Sequence, residues 1–307
     1  MHTTGSIQYL TQQQIDKKKW DNCLNRSANG LIYAYSFYLD AMAKHWDGLV
    51  LNDYEAVMPL TWNKKWGFSY LYQPFLCANG GVFGQNLNAD LTKKFLQHIP
   101  HSFRYWDIKL NHNNFLHNSE YKMLERKNYI LALNTSYENL YVQYSDNVKR
   151  NIKKATNAGC KLTQPDFTTV IEAASKQLNN IASIDKDDFS RFSRLCNALQ
   201  QEGYAITYGV CTADDQLVSS CIFLIWKNRA YYILPTNHPD SKSIGTSHML
   251  IDAFIKDHAN SNIIFDFEGS DIKGIEQLYR SFGGVEENYP SLVYNRLPVF
   301  IRWLKKS

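Results

Sequence analysis

The sequence holds no C-x-x-C pair, no Walker-type glycine loop and no Ser/His/Asp order of the kind that builds a hydrolytic triad. Thioredoxin-like redox chemistry, phosphate-loop NTP hydrolysis and triad hydrolysis therefore have no local support. The six cysteines, Cys23, Cys77, Cys160, Cys196, Cys211 and Cys221, are scattered. They read as reduced thiols, mostly core, in a cytoplasmic protein. The nine histidines are dispersed too, and neither residue type shows metal-ligand spacing, so no metal is expected. No stretch approaches the roughly 18 apolar residues of a membrane span. Residues 1–15 are polar and lack the apolar centre of a signal peptide. A net charge of +4 is too small to argue for nucleic acid by itself. No low-complexity linker divides the chain.

What the sequence does have is aromatic residues and repetition. It contains 20 Tyr, 16 Phe and 7 Trp, which favours strands and wide apolar clefts. One order of features also occurs twice. A hairpin-like pair of apolar runs leads to an aromatic run, a Gly-containing loop, an amphipathic stretch and an apolar run ending on Asp. Pro74 matches Pro235 and Gly84 matches Gly245 at an offset of 161, while Phe95/Phe254 and Asp107/Asp266 match at 159. The turns led by Trp62 and Trp226 lie 164 apart, which a longer first turn would absorb. Such a repeat implies two similar domains, here 1–140 and 141–307, one free to carry a working site and one to support it.

Spacing predicts helix over 16–45, broken at Asn29-Gly30, and strands at 49–60 and 67–75 with a turn at Lys64-Lys65. A helix at 89–99, capped by Asn88, and strands at 103–110 and 127–133 follow. The second half opens with a helix at 145–158, capped by Ser145 or Asp146 and ended by Gly159. Helices at 167–180 and 188–202 precede strands at 204–211, 217–226 and 230–236. A helix at 246–259, a strand at 262–268, a helix at 273–282 and a closing strand at 291–295 complete the order.

Between strand and helix lies Lys242-Ser243-Ile244-Gly245-Thr246-Ser247. A Gly at such a junction lets backbone approach a ligand, and the first N–H groups of the helix face outward at the positive dipole end. The pattern suits a phosphate or carboxylate. Equally, Gly245 can simply end a loop and Ser247 cap a helix. Asp266-Phe267-Glu268 places two carboxylates at a strand end, on one face by alternation, with Phe265 and Phe267 on the other. Asp266 matches Asp107, which points to a role in the fold. Glu268 matches Lys109, a diverged position, and ranks first as a base, with a structural salt bridge as its alternative. His248 sits in the first turn of the helix, as a substrate contact or a solvent-facing residue. Ser270 lines a pocket or forms a turn. Lys149, Arg150, Lys153 and Lys154 make a stripe on one helix, fit either for phosphate contact or for solvent.

Three segments together resemble GNAT acyltransferases. Lys242-x-x-Gly245-x-Ser247 is similar to their pyrophosphate loop, with Lys and Ser where the family has Gln/Arg and Gly/Ala. Leu278-Tyr279-Arg280-Ser281-Phe282-Gly283 resembles a late L-Y-x-x-x-G-F segment, with Phe and Gly transposed. Ser145 to Cys160 resembles the basic helix that opens the second half of FemAB/FemX-type proteins, which are tandem GNAT folds. The resemblance implies an α/β (mixed α+β) chain of two GNAT-like domains, each a mixed sheet flanked by helices. It implies acyl-CoA held at residues 242–247 as donor and an amine acceptor. It also implies direct transfer with Glu268 and Asp266 as the carboxylates and Tyr279 protonating the leaving thiolate. FemAB/FemX-type proteins instead use aminoacyl-tRNA to act on cell-wall precursors, which the 149–154 stripe would serve through its phosphates. Their coiled-coil insertion is absent here, which favours acyl-CoA. A non-catalytic binder keeping the fold is the remaining reading.

Overall fold

The computed structural model describes residues 5–116, 121–178, 184–239, 243–269 and 271–298. In chain order the first strands and helices are β1 (Ile7–Thr11), α1 (Lys17–Arg26), α2 (Ser36–Met42), β2 (His45–Leu51), β3 (Ala56–Lys65), β4 (Phe68–Leu71), β5 (Phe83–Gly84), α3 (Ala89–Gln97), β6 (Phe103–Lys109) and β7 (Lys122–Arg126). Then come β8 (Tyr129–Ala132), α4 (Tyr137–Val142), α5 (Asp146–Asn157), β9 (Lys161–Thr163), α6 (Phe167–Leu178), α7 (Lys186–Gln201), β10 (Ala205–Cys211), β11 (Leu217–Trp226) and β12 (Arg229–Asn237). The chain continues through α8 (Thr246–His258), β13 (Ile264–Asp266), α9 (Lys273–Ser281), β14 (Val285–Glu286) and β15 (Tyr289–Asn295).

The chain divides into two compact units. The first is residues 1–126 with 288–307, and the second is 127–287. The boundary thus falls at 126/127 rather than at 140/141, and the C-terminal segment belongs with the first unit. The reason is strand pairing. In the first unit the sheet runs β1-β2-β3-β4-β6-β15-β7, with β5 on β3. In the second it runs β14-β8-β13-β12-β11-β10-β9. Strand β15, late in sequence, sits between β6 and β7, while β8, from the end of the first repeat, sits between β13 and β14. Each sheet therefore contains one strand donated by the other half of the sequence.

Both sheets keep the repeated order. A hairpin (β3-β4, β11-β12) leads to a helix (α3, α8) and then to a strand parallel to the hairpin's second arm (β6 on β4, β13 on β12). The hairpin turns are closed by Lys65↔Phe68 and Trp226↔Arg229. These pairs restore the offset of 161, because Trp62 lies inside β3 opposite Leu71 instead of in the turn. Residues 49–60 form two strands, not one. The chain reverses at 52–55, where Asn52 and Tyr54 adopt φ of 49° and 61°. Phe95 of α3 and Phe254 of α8 are both fully buried in their cores. Short β1, β7, β9 and β14 escaped the sequence pattern. Strands of two to five residues give too few alternations to register.

Candidate functional site

The parallel pair β12-β13 is short. Only Arg229↔Ile264, Ala230↔Phe265 and Tyr231↔Asp266 align, while β12 runs on to Asn237. Past Tyr231 and Asp266 the two strands part company, and this divergence organises the second unit. On its other side, β12 bulges against β11. Ile233 faces Ile222 and Thr236 faces Ser220, so Leu234 and Pro235 together oppose Cys221. Leu234 has φ +50 although it is buried and not glycine. Such a conformation costs about 1–3 kcal/mol and persists where surrounding packing imposes it. Pro235, which cannot donate to a ladder, is the one sequence signal that marks this bulge.

Helix α8 begins at Gly245, which has φ +91 and ψ 20 and provides no side-chain cap. A Cβ there would lie 2.5 Å from the Asn151 carbonyl oxygen of α5. The glycine is thus required by the close approach of α5 to α8, a reason the sequence does not reveal. Thr246 is 1% exposed, and its Oγ1 is buried without a hydrogen-bond partner among the described residues. An unsatisfied buried hydroxyl costs about 1–3 kcal/mol. Ile244 packs against the core and Ser243 is exposed. Lys242 and Ser270 lie outside the described residues. The Ser247 hydroxyl donates to Asn237 Oδ1 at 2.5 Å, and the same oxygen accepts from Ser219 at 2.6 Å. This links the first turn of α8 to a cleft of about 520 Å³ beside α6. Its lining includes Lys176, Gln177, Ser219, Ser220, Thr236 and Asn237. Asn237 was missed from sequence because its partners lie on three separate elements.

Strand β13 stops at Asp266, and Glu268 lies beyond it with φ +65, followed by Gly269 at φ +65. Strand alternation therefore does not place Glu268. Asp266 does, accepting the Glu268 backbone N–H at 2.9 Å through Oδ1. Its Oδ2 accepts from Arg229 Nε at 2.7 Å, and Arg229 also pairs with Glu287. Asp266 is 4% exposed and Arg229 8%. Breaking such a buried pair typically costs about 3–5 kcal/mol. Asp266 is thus committed to a buried ion pair and shapes the turn that carries Glu268. Its repeat partner Asp107 is solvent-exposed and does a different job.

Tyr279, on α9, is 5% exposed and stacks on Phe267 with ring centroids 4.6 Å apart. Burial raises its pKa, and the Glu268 and then the Asp266 carboxylates raise it further. It holds its proton at neutral pH. Helix α9 is held to β8 by the Tyr129 hydroxyl donating to Glu276 at 3.1 Å and by Arg280 Nε donating to Tyr129 at 2.9 Å, and to the segment before β8 by Lys127–Glu276 at 2.7 Å. Tyr232, the first β12 residue past the ladder, is buried, and its own pKa is raised first by that burial. His248 lies 6.0 Å from the Phe282 ring, and burial lowers its pKa, which favours neutral imidazole. On α5, capped by Ser145, Arg150, Lys153 and Lys154 are exposed. Lys149 instead reaches back to the Val142 carbonyl at 3.4 Å and over the Tyr141 ring. Among the described residues no cluster of three or more His, Cys, Asp or Glu is placed to hold a metal ion, and no helix is long and apolar enough to cross a membrane.

Residues 143–273 match the family described as Acetyltransferase (GNAT) domain. No curated protein matches the chain in sequence. Among solved structures, it is similar to the crystal structure of FemX at a TM-score of 0.62 and 11% identity, over 92% of this chain and 96% of that one. L-PGS from Bacillus licheniformis is similar at 0.55 and 10%, over 94% and 95%. A tandem GNAT protein from the clavulanic acid biosynthesis pathway is similar at 0.54 and 9%, over 95% and 99%.

Proposed function

We propose that this chain, which has a FemX-like tandem GNAT fold and the acyltransferase chemistry that its GNAT domain supports, moves an acyl group from acyl-CoA to an amine. The second unit carries donor binding and transfer, and the first keeps the repeat's fold without its own site. One observation carries the reading. The start of α8 has no side-chain cap and holds a buried Thr246 hydroxyl without a partner among the described residues, so an anionic group would satisfy donors left open there. Acyl-CoA supplies such an anion in its pyrophosphate and an activated carbonyl in its thioester. Residues 243–247 would hold the former, with Lys242 adding charge.

In this reading Glu268 accepts the proton that the attacking amine loses as its nitrogen bonds to the acyl carbon. Tyr279, kept protonated by burial and two neighbouring carboxylates, donates to the sulfur as the carbon–sulfur bond breaks. Asp266 acts through Glu268 as a positioning residue. The cleft beside α6, with its hydroxyl and amide lining, takes the polar acceptor, and His248 and Ser270 stay as candidate contacts to it.

Exposed Arg150, Lys153 and Lys154 favour a second reading, in which aminoacyl-tRNA is the donor and a cell-envelope amine the acceptor. Calorimetry of CoA, acetyl-CoA and bulk aminoacyl-tRNA against the purified chain at two salt concentrations separates the two. Thr246→Val is the diagnostic variant, since it removes the hydroxyl and keeps the volume. CoA binding should weaken roughly five- to tenfold with no loss of thermal stability. Binding of tRNA alone, steeply salt-dependent, would move the donor to the second reading. Binding of neither would favour a non-catalytic role.

A further inference from the structure

The hairpin β3-β4 of the first unit ends in a two-residue turn, Trp66-Gly67, with both φ angles positive at 51° and 80°. Trp66 is 66% exposed, and nothing lies within 4 Å of where a Gly67 side chain would start. The tip therefore projects. Lys64 and Lys65 precede it and are exposed, and the Lys65 ammonium sits 4.9 Å from the centre of the Trp66 ring. Phe68, on the far side of the turn, has the Arg104 guanidinium 5.9 Å from its ring centre. Arg296 joins the same sheet end, its N–H donating to the Arg104 carbonyl at 2.8 Å. Segments 60–72, 98–106 and 293–298 contain no Asp or Glu. Four cations and an exposed tryptophan thus share one end of the sheet in a protein whose net charge is only +4.

The matching hairpin of the second unit shows that this is not a requirement of the fold. There Trp226 packs on Tyr204 at 5.0 Å, and Arg229 is buried in its ion pair. Trp66 offers an apolar contact beside the Lys65 charge. A cationic corner selects an anionic cover. The residues beyond Pro298, VFIRWLKKS, are themselves cationic, so they do not supply the missing charge. A single-stranded nucleic acid would need a free ring face to stack on, whereas Lys65 already lies over Trp66. A tryptophan at a projecting tip, flanked by lysines, suits the headgroup boundary of a bilayer.

We propose that the β3-β4 tip docks the protein reversibly on an anionic membrane surface, with Trp66 at the headgroup level and Lys64, Lys65, Arg104 and Arg296 on lipid phosphates. This does not depend on the donor assignment in the second unit. The test is flotation of the full chain with vesicles of phosphatidylcholine alone and of phosphatidylcholine containing roughly a third phosphatidylglycerol. The protein should float only with the anionic vesicles, and less so as salt rises. Lys64→Ala and Lys65→Ala should each lower partitioning roughly fivefold. The Lys64→Arg, Lys65→Arg pair should keep it, and Trp66→Asn, which tolerates the positive φ, should weaken it. Equal flotation with neutral vesicles, no flotation at all, or indifference to these substitutions would overturn the proposal. So would Trp66-dependent binding to a single-stranded oligonucleotide that competes the vesicles away.

Discussion

The loop and helix that follow the hairpin occur in both units, and their polar groups are treated in opposite ways. In the first unit most are satisfied internally, although Asn79 Oδ1 is buried without a partner among the described residues. Asn114 Oδ1 accepts the Val82 N–H at 2.7 Å, and the Asn29, Asn111 and Asn114 amides all donate to the Val82 carbonyl. Asn88 caps α3 by accepting the Leu91 N–H at 2.8 Å. The space beside the diverging β4 and β6 shrinks to about 20 Å³. In the second unit, α8 has no side-chain cap, the buried Thr246 hydroxyl has no partner among the described residues, and a cleft of about 520 Å³ lies beside α6. One repeat spends Asn29, Asn88, Asn111 and Asn114 on its own backbone, while a pocket of about 200 Å³ remains beside Gln85, Asn86 and Leu87. The other leaves its helix start uncapped and keeps a larger cleft beside α6. Groups left open despite the cost of burial are where a ligand is expected.

Turnover gives the widest test of this contrast. Glu268→Gln and Tyr279→Phe should each lower it by roughly 10²–10⁴ with little change in melting temperature. Lys109→Ala, at the position matching Glu268, should leave it within about twofold. Comparable losses at both positions would erase the asymmetry. Stability gives the next. Asn114→Ala orphans the buried Val82 N–H and should cost about 2 kcal/mol in a denaturant titration, without altering CoA affinity. A change in CoA affinity would mean that the first unit's loop takes part in binding.

The smallest effect concerns Asp252 of α8, which is buried and accepts the Tyr137 hydroxyl at 2.9 Å. Burial raises its pKa above the usual carboxylate range. The fold therefore favours the neutral acid. The stability from this group is fully present below the unfolded pKa of about 4 and is lost as pH rises through the raised folded value. Asp252→Asn keeps an acceptor for Tyr137 and removes the charge. It should melt higher than the parent at pH 7, and the gap should close near about pH 4. A gap independent of pH would place the effect in packing instead.

Much of the frame was legible in the sequence. The repeated hairpin, helix and strand were readable because each is set by local period and by turn residues such as Asn88, Gly159 and Gly245. The tandem GNAT expectation came from the resemblance carried by residues 145–160, 242–247 and 278–283, and the fold and domain match agree with it. The partners of the site residues were not legible. Asp266, Arg229 and Glu287 meet across wide sequence separations, and no local pattern distinguishes a carboxylate in a buried ion pair from one facing a cleft. Glu268 lies past the strand end because Asp266 takes its N–H, so alternation over 262–268 misplaced it. The crossed strands β8 and β15 were invisible for the same reason. A strand's own residues state that it is extended, not which sheet it joins.

That crossing also bears on how the chain is made. During synthesis, the sheet of the first unit lacks the strand between β6 and β7 until residue 295 has left the ribosome. The nascent first half must therefore wait with two unpaired strand edges, although domains ordinarily close in order of translation. The second half can close its sheet earlier, because β8 precedes everything else in that sheet. A nonsense codon near residue 288 would thus damage the first unit more than the second.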